Sequence, residues 1–250
     1  MRAAPPVIEN RRHWALFLDI DGTLIDIAQT PDSVIISATL PALLSVLRQA
    51  LDGALALISG RALTDIDRMF SGQFDAAGTH GIEWRHAGTT IPNDRHRHEA
   101  ITNIVPLIEE RAYHLPGLLI EKKSQSLALH YRQNPELKPD AWSLAEYAMR
   151  ELGEDFRLLA GHSVVEIIAA DADKGKAIER FMAIPPYIGR IPIFAGDDVT
   201  DESGFQVINR MEGISIKIGN PPSLLAQFHI SSPSELKVWL AAVATTLTER

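Results

Sequence analysis

Four short apolar runs, Trp14–Leu18, Ala54–Ile58, Ile191–Ala195 and Ile214–Ile218, constrain the fold of this chain most. Each is too short for an ordinary helix, and each is followed by polar or glycine-bearing residues. Such runs read as strands buried on both faces of a parallel sheet. Between and after them the apolar residues recur with helical spacing over Leu40–Leu51, Ala62–Phe70, Lys174–Met182, Asp201–Met211 and Ser234–Leu247. Strands alternating with helices predict an α/β fold with a parallel sheet. Ser232-Pro233-Ser234-Glu235 has capping-box spacing with Pro at the first helical position, which marks the start of the last helix.

The middle of the chain follows a different rhythm. It predicts a helix over Arg95–Tyr113, strands over Leu118–Lys123 and Ser126–Arg132, a helix over Ala141–Leu152, and strands over Phe156–Ala160 and Ser163–Ile168. The turns Lys123-Ser124-Gln125 and Ala160-Gly161-His162 are too short for crossovers and imply antiparallel hairpins. The reading is a small α/β domain over 85–168 inserted into a core made of 1–84 and 169–250. No internal repeat or low-complexity segment interrupts either part.

Composition narrows the chemistry. A net charge of -8 with no Lys/Arg block argues against nucleic acid as a partner. With no cysteine, disulfides, thiolate metal sites and a Cys nucleophile are excluded. No apolar stretch approaches the ~20 residues of a membrane helix. The one signal-like feature, Arg11-Arg12 ahead of Trp14–Leu18, is too short for an h-region and runs into Asp19. A cytoplasmic enzyme is the expectation, with no membrane partner.

Four strand ends carry the chemistry. Asp19-Ile20-Asp21-Gly22-Thr23-Leu24 follows the first run, where a tight turn at Gly22 can aim a carboxylate and a carbonyl at one metal ion. An isolated Asp-Gly is more often a plain turn. Chance, however, produces Asp-x-Asp-Gly-Thr in only on the order of a few per thousand chains of this length. Ser59-Gly60-Arg61 closes the second run and begins a helix, offering a hydroxyl and backbone N–H groups to an anion, although Ser is also an ordinary N-cap. Lys174-Gly175 opens a helix, where the macrodipole disfavours a cation unless an anionic partner is near; most lysines are simply solvated. Gly196-Asp197-Asp198-Val199-Thr200-Asp201-Glu202 sets four carboxylates within six residues, and their repulsion calls for a cation such as Mg²⁺. Asp201 and Glu202 could merely begin a helix, which leaves the Asp197-Asp198 pair unexplained.

In this order, and each at a strand end, these motifs resemble the four motifs of the haloacid dehalogenase-like phosphatases. The resemblance implies a Rossmann-like core with helices on both faces of its sheet, active-site loops at the carboxyl edge, and an inserted C2-type cap. A narrower likeness spans most of the chain. Ile58-Ser59-Gly60-Arg61, Ala77-Gly78-Thr79-His80-Gly81-Ile82-Glu83, Leu127-Ala128-Leu129-His130-Tyr131-Arg132, Val165-Glu166 and Gly196–Glu202 together resemble the trehalose-6-phosphate phosphatase family. One departure bears on specificity. The family usually follows the glutamate matching Glu166 with a hydrophobic residue, a basic residue and Pro, whereas Ile167, Ile168 and Ala169 stand here.

What the resemblance implies is residue-specific. Asp19 is the nucleophile that forms an aspartyl-phosphate, and Asp21 protonates the leaving sugar oxygen and then activates water. The Asp19 carboxylate, the Asp21 backbone carbonyl and Asp197 hold Mg²⁺, while Asp198 orients a metal-bound water. Ser59, Lys174 and the N–H groups of Gly22 and Thr23 neutralise the phosphoryl oxygens, with Asp201 positioning Lys174. Gly60 and Arg61 join the substrate-binding set. His80 and Glu83 from the core and Glu121, Lys123, His130, Arg132 and Glu166 from the cap recognise the sugar, although a solvated sheet face would account for the cap residues almost as well. The small-molecule partner is trehalose 6-phosphate or a related sugar phosphate. The protein is expected to be a monomer, working after a trehalose-phosphate synthase. A phosphatase of the sucrose-phosphate or mannosyl-phosphoglycerate type, a phosphomutase, and a non-catalytic sugar-phosphate-binding regulator stay open.

Overall fold

The computed structural model describes residues 3–8, 13–27, 34, 36–91, 94–161, 163–220, 223 and 225–248. Arg11-Arg12 and His162 of the turn anticipated at 160–162 lie outside the described residues.

The chain divides into two compact units, 1–90 with 173–250, and 91–172. The junctions therefore lie six and four residues beyond those expected at 84/85 and 168/169. The shifts have local causes: a β-hairpin after residue 82 adds to the larger sheet, and the last strand of the smaller sheet runs to Ala169.

The larger unit holds β1 (Trp14–Leu18), α1 (Thr39–Ala50), β2 (Leu55–Ile58), α2 (Leu63–Phe70), β3 (Asp75–Gly78), β4 (Glu83–His86) and β5 (Thr89–Thr90). After the smaller unit it resumes with α5 (Lys174–Met182), β10 (Ile191–Gly196), α6 (Glu202–Arg210), β11 (Ile214–Ile218), β12 (Phe228–Ile230) and α7 (Pro233–Thr248). Its sheet runs β12-β11-β10-β1-β2-β3-β4-β5, parallel from β12 to β3, with β4 and β5 added antiparallel. Successive residues of β2 and β11 are all buried, so both faces of the sheet must be covered. The strand order reverses between β1 and β10. In an open parallel sheet such a switch point leaves a crevice at the carboxyl ends of the strands.

Four strands escape the sequence pattern. β3 is Asp-Ala-Ala-Gly, whose residues have little strand preference of their own, and β12 is only three residues long. The capping box expected at Ser232 is half formed. Ser232 Oγ accepts the Glu235 N–H at 3.2 Å, but the Glu235 carboxylate accepts the N–H of Ser231.

The smaller unit contains α3 (Arg95–Ala112), β6 (Leu119–Lys122), β7 (Leu127–His130), α4 (Lys138–Leu152), β8 (Phe156–Gly161) and β9 (Val164–Ala169). Its sheet, β6-β7-β9-β8, is antiparallel throughout. Asp94 starts α3 by accepting the N–H groups of His96 and Arg97. The core of this unit joins Ile101, Ile104 and Ile108 of α3 and Ala141, Ala145 and Ala148 of α4 to one face of the sheet. Among the described residues no helix is long and apolar enough to cross a membrane.

Candidate active site

The turns after β1 and β10 set Asp19 and Asp197 on neighbouring parallel strands, because Leu18 is in register with Ala195. Asp19 is buried, and its N–H donates to the Ala195 carbonyl at 3.0 Å. Lys174, the first residue of α5, is 3% exposed and donates from Nζ to Asp19 Oδ1 at 2.8 Å and to Asp201 Oδ1 at 2.6 Å. The anionic partner that a lysine at a helix start requires is thus present twice. Its ammonium is held firmly charged: burial opposes the charge, but Asp19 and then Asp201 outweigh it.

Asp201 is fully buried and wholly committed. One oxygen receives Lys174 and the other accepts the N–H groups of Asp197 and Asp198, each at 2.9 Å. Asp197 is fixed from other sides as well. Thr23 Oγ1 donates to its carboxylate at 3.3 Å, and Lys217 Nζ donates to its carbonyl at 2.5 Å. Lys217 was not anticipated. Its signal is a charged residue inside the Ile214-Ser215-Ile216-Lys217-Ile218 strand run, where it is buried and also donates to the Ile218 carbonyl.

Asp19, Asp197 and Asp201 each offer an oxygen within 4.8 Å of the other two. Burial raises the pKa of Asp19, offset by Lys174 and reinforced by Asp201 and Asp197. Asp197 is pushed up to about 7, first by burial and then by Asp201. Three carboxylates against the Lys174 ammonium leave a buried excess of negative charge, and the donor set is all oxygen. A hard divalent cation fits that set. Beside the expected Asp19 and Asp197, the cluster of side-chain oxygens includes Asp201. Since both Asp201 oxygens are already bound, Asp201 serves as the hub that holds Lys174 and the Asp197-Asp198 backbone.

Gly22 has φ +78°, and a side chain there would overlap the Asp197 carboxylate. Gly22→Ala is therefore expected to displace Asp197 and cut kcat on p-nitrophenyl phosphate about 100-fold in a folded protein, since a misplacement of about 1 Å has that cost. A kcat within twofold of wild type would show that the close approach is dispensable.

Several expected roles are altered by the geometry. The Gly22 N–H donates to the Ile25 carbonyl at 2.7 Å and the Thr23 N–H to the Ile20 carbonyl at 3.3 Å, so neither stands open for phosphate here. Closing the short turn uses them. Ser59 does not begin the next helix, because α2 starts at Leu63. Ser59 Oγ instead accepts the Arg61 N–H at 3.1 Å, and the helix start is served by Glu83, whose Oε2 accepts the Leu63 N–H at 2.6 Å. Asp198 caps the turn after β10, accepting the Val199 N–H at 2.7 Å. Arg61 makes a two-pronged pair with Asp21, both contacts at 2.6 Å. His80 is buried at φ +54°, and its ring lies 2.6 Å from where a Cβ on Gly60 would stand.

Within the smaller unit the expected sugar-binding residues do meet. Glu121 accepts from His130 Nε2 at 2.7 Å, and Lys123 Nζ lies 3.2 Å from Glu166 and 4.0 Å from Glu121. Hydrogen bonding from His130 and the charge of Lys123 overcome burial and lower the Glu121 pKa. Arg132 lies two residues past the end of β7, half-buried. A groove of about 660 Å³ on the helix side, lined by Leu107, Arg111, Asp140 and Tyr147 among others, contains none of these residues.

A family model described as trehalose-phosphatase matches residues 17–236, from β1 into α7. The chain belongs to the trehalose-phosphatase family. As a member it is a phosphatase. A probable trehalose-phosphate phosphatase of Sinorhizobium fredii is 42% identical over 241 residues, covering 93% of this chain and 88% of the relative. The trehalose-6-phosphate phosphatase of Escherichia coli is 38% identical over 241 residues, covering 95% and 89%. A crystal structure described as a trehalose-6-phosphate phosphatase related protein superposes with a TM-score of 0.82 at 26% identity, covering 92% of this chain and 97% of that one.

Proposed function

We propose that this protein hydrolyses trehalose 6-phosphate to trehalose and phosphate through an aspartyl-phosphate on Asp19, with Mg²⁺ as cofactor. The observation that carries the reading is the buried Asp19–Lys174–Asp201 cluster beside Asp197 at the carboxyl ends of β1 and β10.

Asp19 attacks phosphorus, and covalent catalysis splits one hard displacement into two easier ones. Lys174 favours the ionised Asp19 carboxylate against the burial that raises its pKa and holds it in place, and its remaining donor capacity faces the charge that gathers on the equatorial phosphoryl oxygens. Ser59 Oγ adds a hydroxyl donor. Asp21 gives its proton to the departing sugar oxygen and, left as a carboxylate, takes one from the attacking water. Arg61 must loosen its grip on Asp21 before either transfer, and an incoming phosphate is a competing bidentate partner for that guanidinium. Asp19, Asp197 and the Asp21 carbonyl would hold Mg²⁺, which would supply charge neutralisation for phosphoryl transfer. Asp198 would orient a water beside that site.

The inserted unit, a cap, reads the sugar. Glu121, Lys123, His130 and Glu166 form a polar cluster on one sheet, and their charged hydrogen-bonding groups suit sugar hydroxyls. Arg132, His80 and Glu83 are assigned to the same task. The protein is proposed to act in the cytoplasm as a monomer, on the product of a trehalose-phosphate synthase.

The test is phosphate release from trehalose 6-phosphate, glucose 6-phosphate, sucrose 6-phosphate and p-nitrophenyl phosphate, with Mg²⁺ and with EDTA. The expected result is a preference of at least about 100-fold in kcat/KM for trehalose 6-phosphate, a difference of roughly 2.7 kcal/mol, lost in EDTA. Broad Mg²⁺-dependent activity would keep the chemistry and discard the substrate.

A further inference from the structure

One face of the β6-β7-β9-β8 sheet packs on α3 and α4 through Leu127, Leu129, Phe156, Val165 and Ile167. Strand alternation places Glu121, His130, Glu166 and Arg157 on the opposite face. The register arranges that face in rows. One row runs Glu121, Ala128, Glu166 and Leu159 across the four strands. The next begins at Lys123, whose N–H donates to the Ser126 carbonyl, and ends at Ile168 and its cross-strand partner Arg157.

The cations of this face differ in their engagement. Lys123 is paired with Glu166, and His130 with Glu121. Arg157 is exposed and donates through Nη2 to the Ala172 carbonyl at 2.9 Å, yet makes no ion pair among the described residues. A guanidinium carries five N–H donors in a fixed fork, so most of its capacity is unspent. Directly opposite Ile168, its Cβ lies about 5 Å away, as cross-strand pairs do. Arg157 thus places a cation in the same row as Lys123, across from Ile168.

Resting on the trehalose 6-phosphate reading, we propose that Arg157 is a specificity-determining residue that donates hydrogen bonds to sugar hydroxyls at the far end of the row from Lys123. The experiment measures trehalose 6-phosphate binding by calorimetry in the Asp19→Asn background, and KM and kcat in the active protein, for Arg157, Arg157→Gln and Arg157→Lys. The expected result for Arg157→Gln is a tenfold rise in Kd and KM for trehalose 6-phosphate, with kcat and the KM for p-nitrophenyl phosphate changing less than twofold. Arg157→Lys, which keeps the charge and loses the fork, is expected to lose about threefold and carries the test alone if the glutamine variant does not fold. An unchanged Kd overturns the assignment. Equal losses on both substrates also overturn it, because they would mark Arg157 as a structural tether to Ala172. If the parent Asp19→Asn protein binds no trehalose 6-phosphate, the substrate reading itself falls.

Discussion

Asp19→Asn lowers phosphate release by a factor on the order of 10⁴ or more, while the protein stays folded. The carboxamide keeps the size of the side chain but lacks the nucleophilic oxygen. Asp201 is saturated by Lys174 and two backbone N–H groups, and Asp21 is engaged by Arg61. Removing one member of a buried ion pair commonly costs about 3–5 kcal/mol through the stranded partner. Lys174 is not stranded, since Asp201 still accepts from it at 2.6 Å. The substitution also deletes one of three mutually repelling carboxylates, so the melting temperature in EDTA should not fall below that of wild type. Circular dichroism melts and phosphate release at saturating substrate and Mg²⁺ check both halves. A rate within tenfold of wild type would remove Asp19 as the nucleophile.

In EDTA the folded protein loses stability as the pH rises from about 5 to 8, and Mg²⁺ abolishes the loss. The sign follows from Asp197, whose folded pKa stands at about 7 against an ordinary value of 3.8. Between those values the folded state holds a proton that the unfolded state releases, so stability falls as pH rises through the window. Asp19 is shifted in the same direction by burial, and the two carboxylates titrate as a pair. The combined cost is on the order of 2–4 kcal/mol, or roughly 5–10 °C in melting temperature for a chain of this size. A divalent ion removes the cost by neutralising the carboxylates, and adds the binding term that any ligand of the folded state contributes. The measurement is melting temperature against pH from 5.5 to 8, in EDTA and in Mg²⁺, for wild type and Asp197→Asn. If Asp197→Asn keeps the wild-type slope in EDTA, the cluster is not its source.

Legibility in the sequence tracked the range of the interaction responsible. β1, β2, β10 and β11 were legible because full burial on two faces leaves an apolar run in one stretch of chain. β3 was not: Asp75-Ala76-Ala77-Gly78 is a strand because β2 offers it a ladder. Lys174 was legible as an oddity, a cation at the wrong end of a helix, but that oddity could not name Asp19 and Asp201 as its partners. Ser59 looked like an N-cap because the local rule fits it. Glu83, 20 residues beyond Leu63, provides the capping oxygen instead, and only the folded position of β4 could reveal that. The Asp21–Arg61 pair joins residues 40 apart.

The sequence by itself determined the alternating parallel core, the four acid-, hydroxyl- and lysine-bearing strand ends and the antiparallel insertion, because each is written in periodicity or in a few adjacent residues. Only the tertiary structure decided which carboxylates are free to bind and which are consumed, with Asp201 as hub, Lys217 behind Asp197, Glu83 as a cap and Arg157 opposite Ile168. Hydrogen-bond and charge partners across a sheet or between strand ends depend on register and distance, which no local pattern of residues encodes.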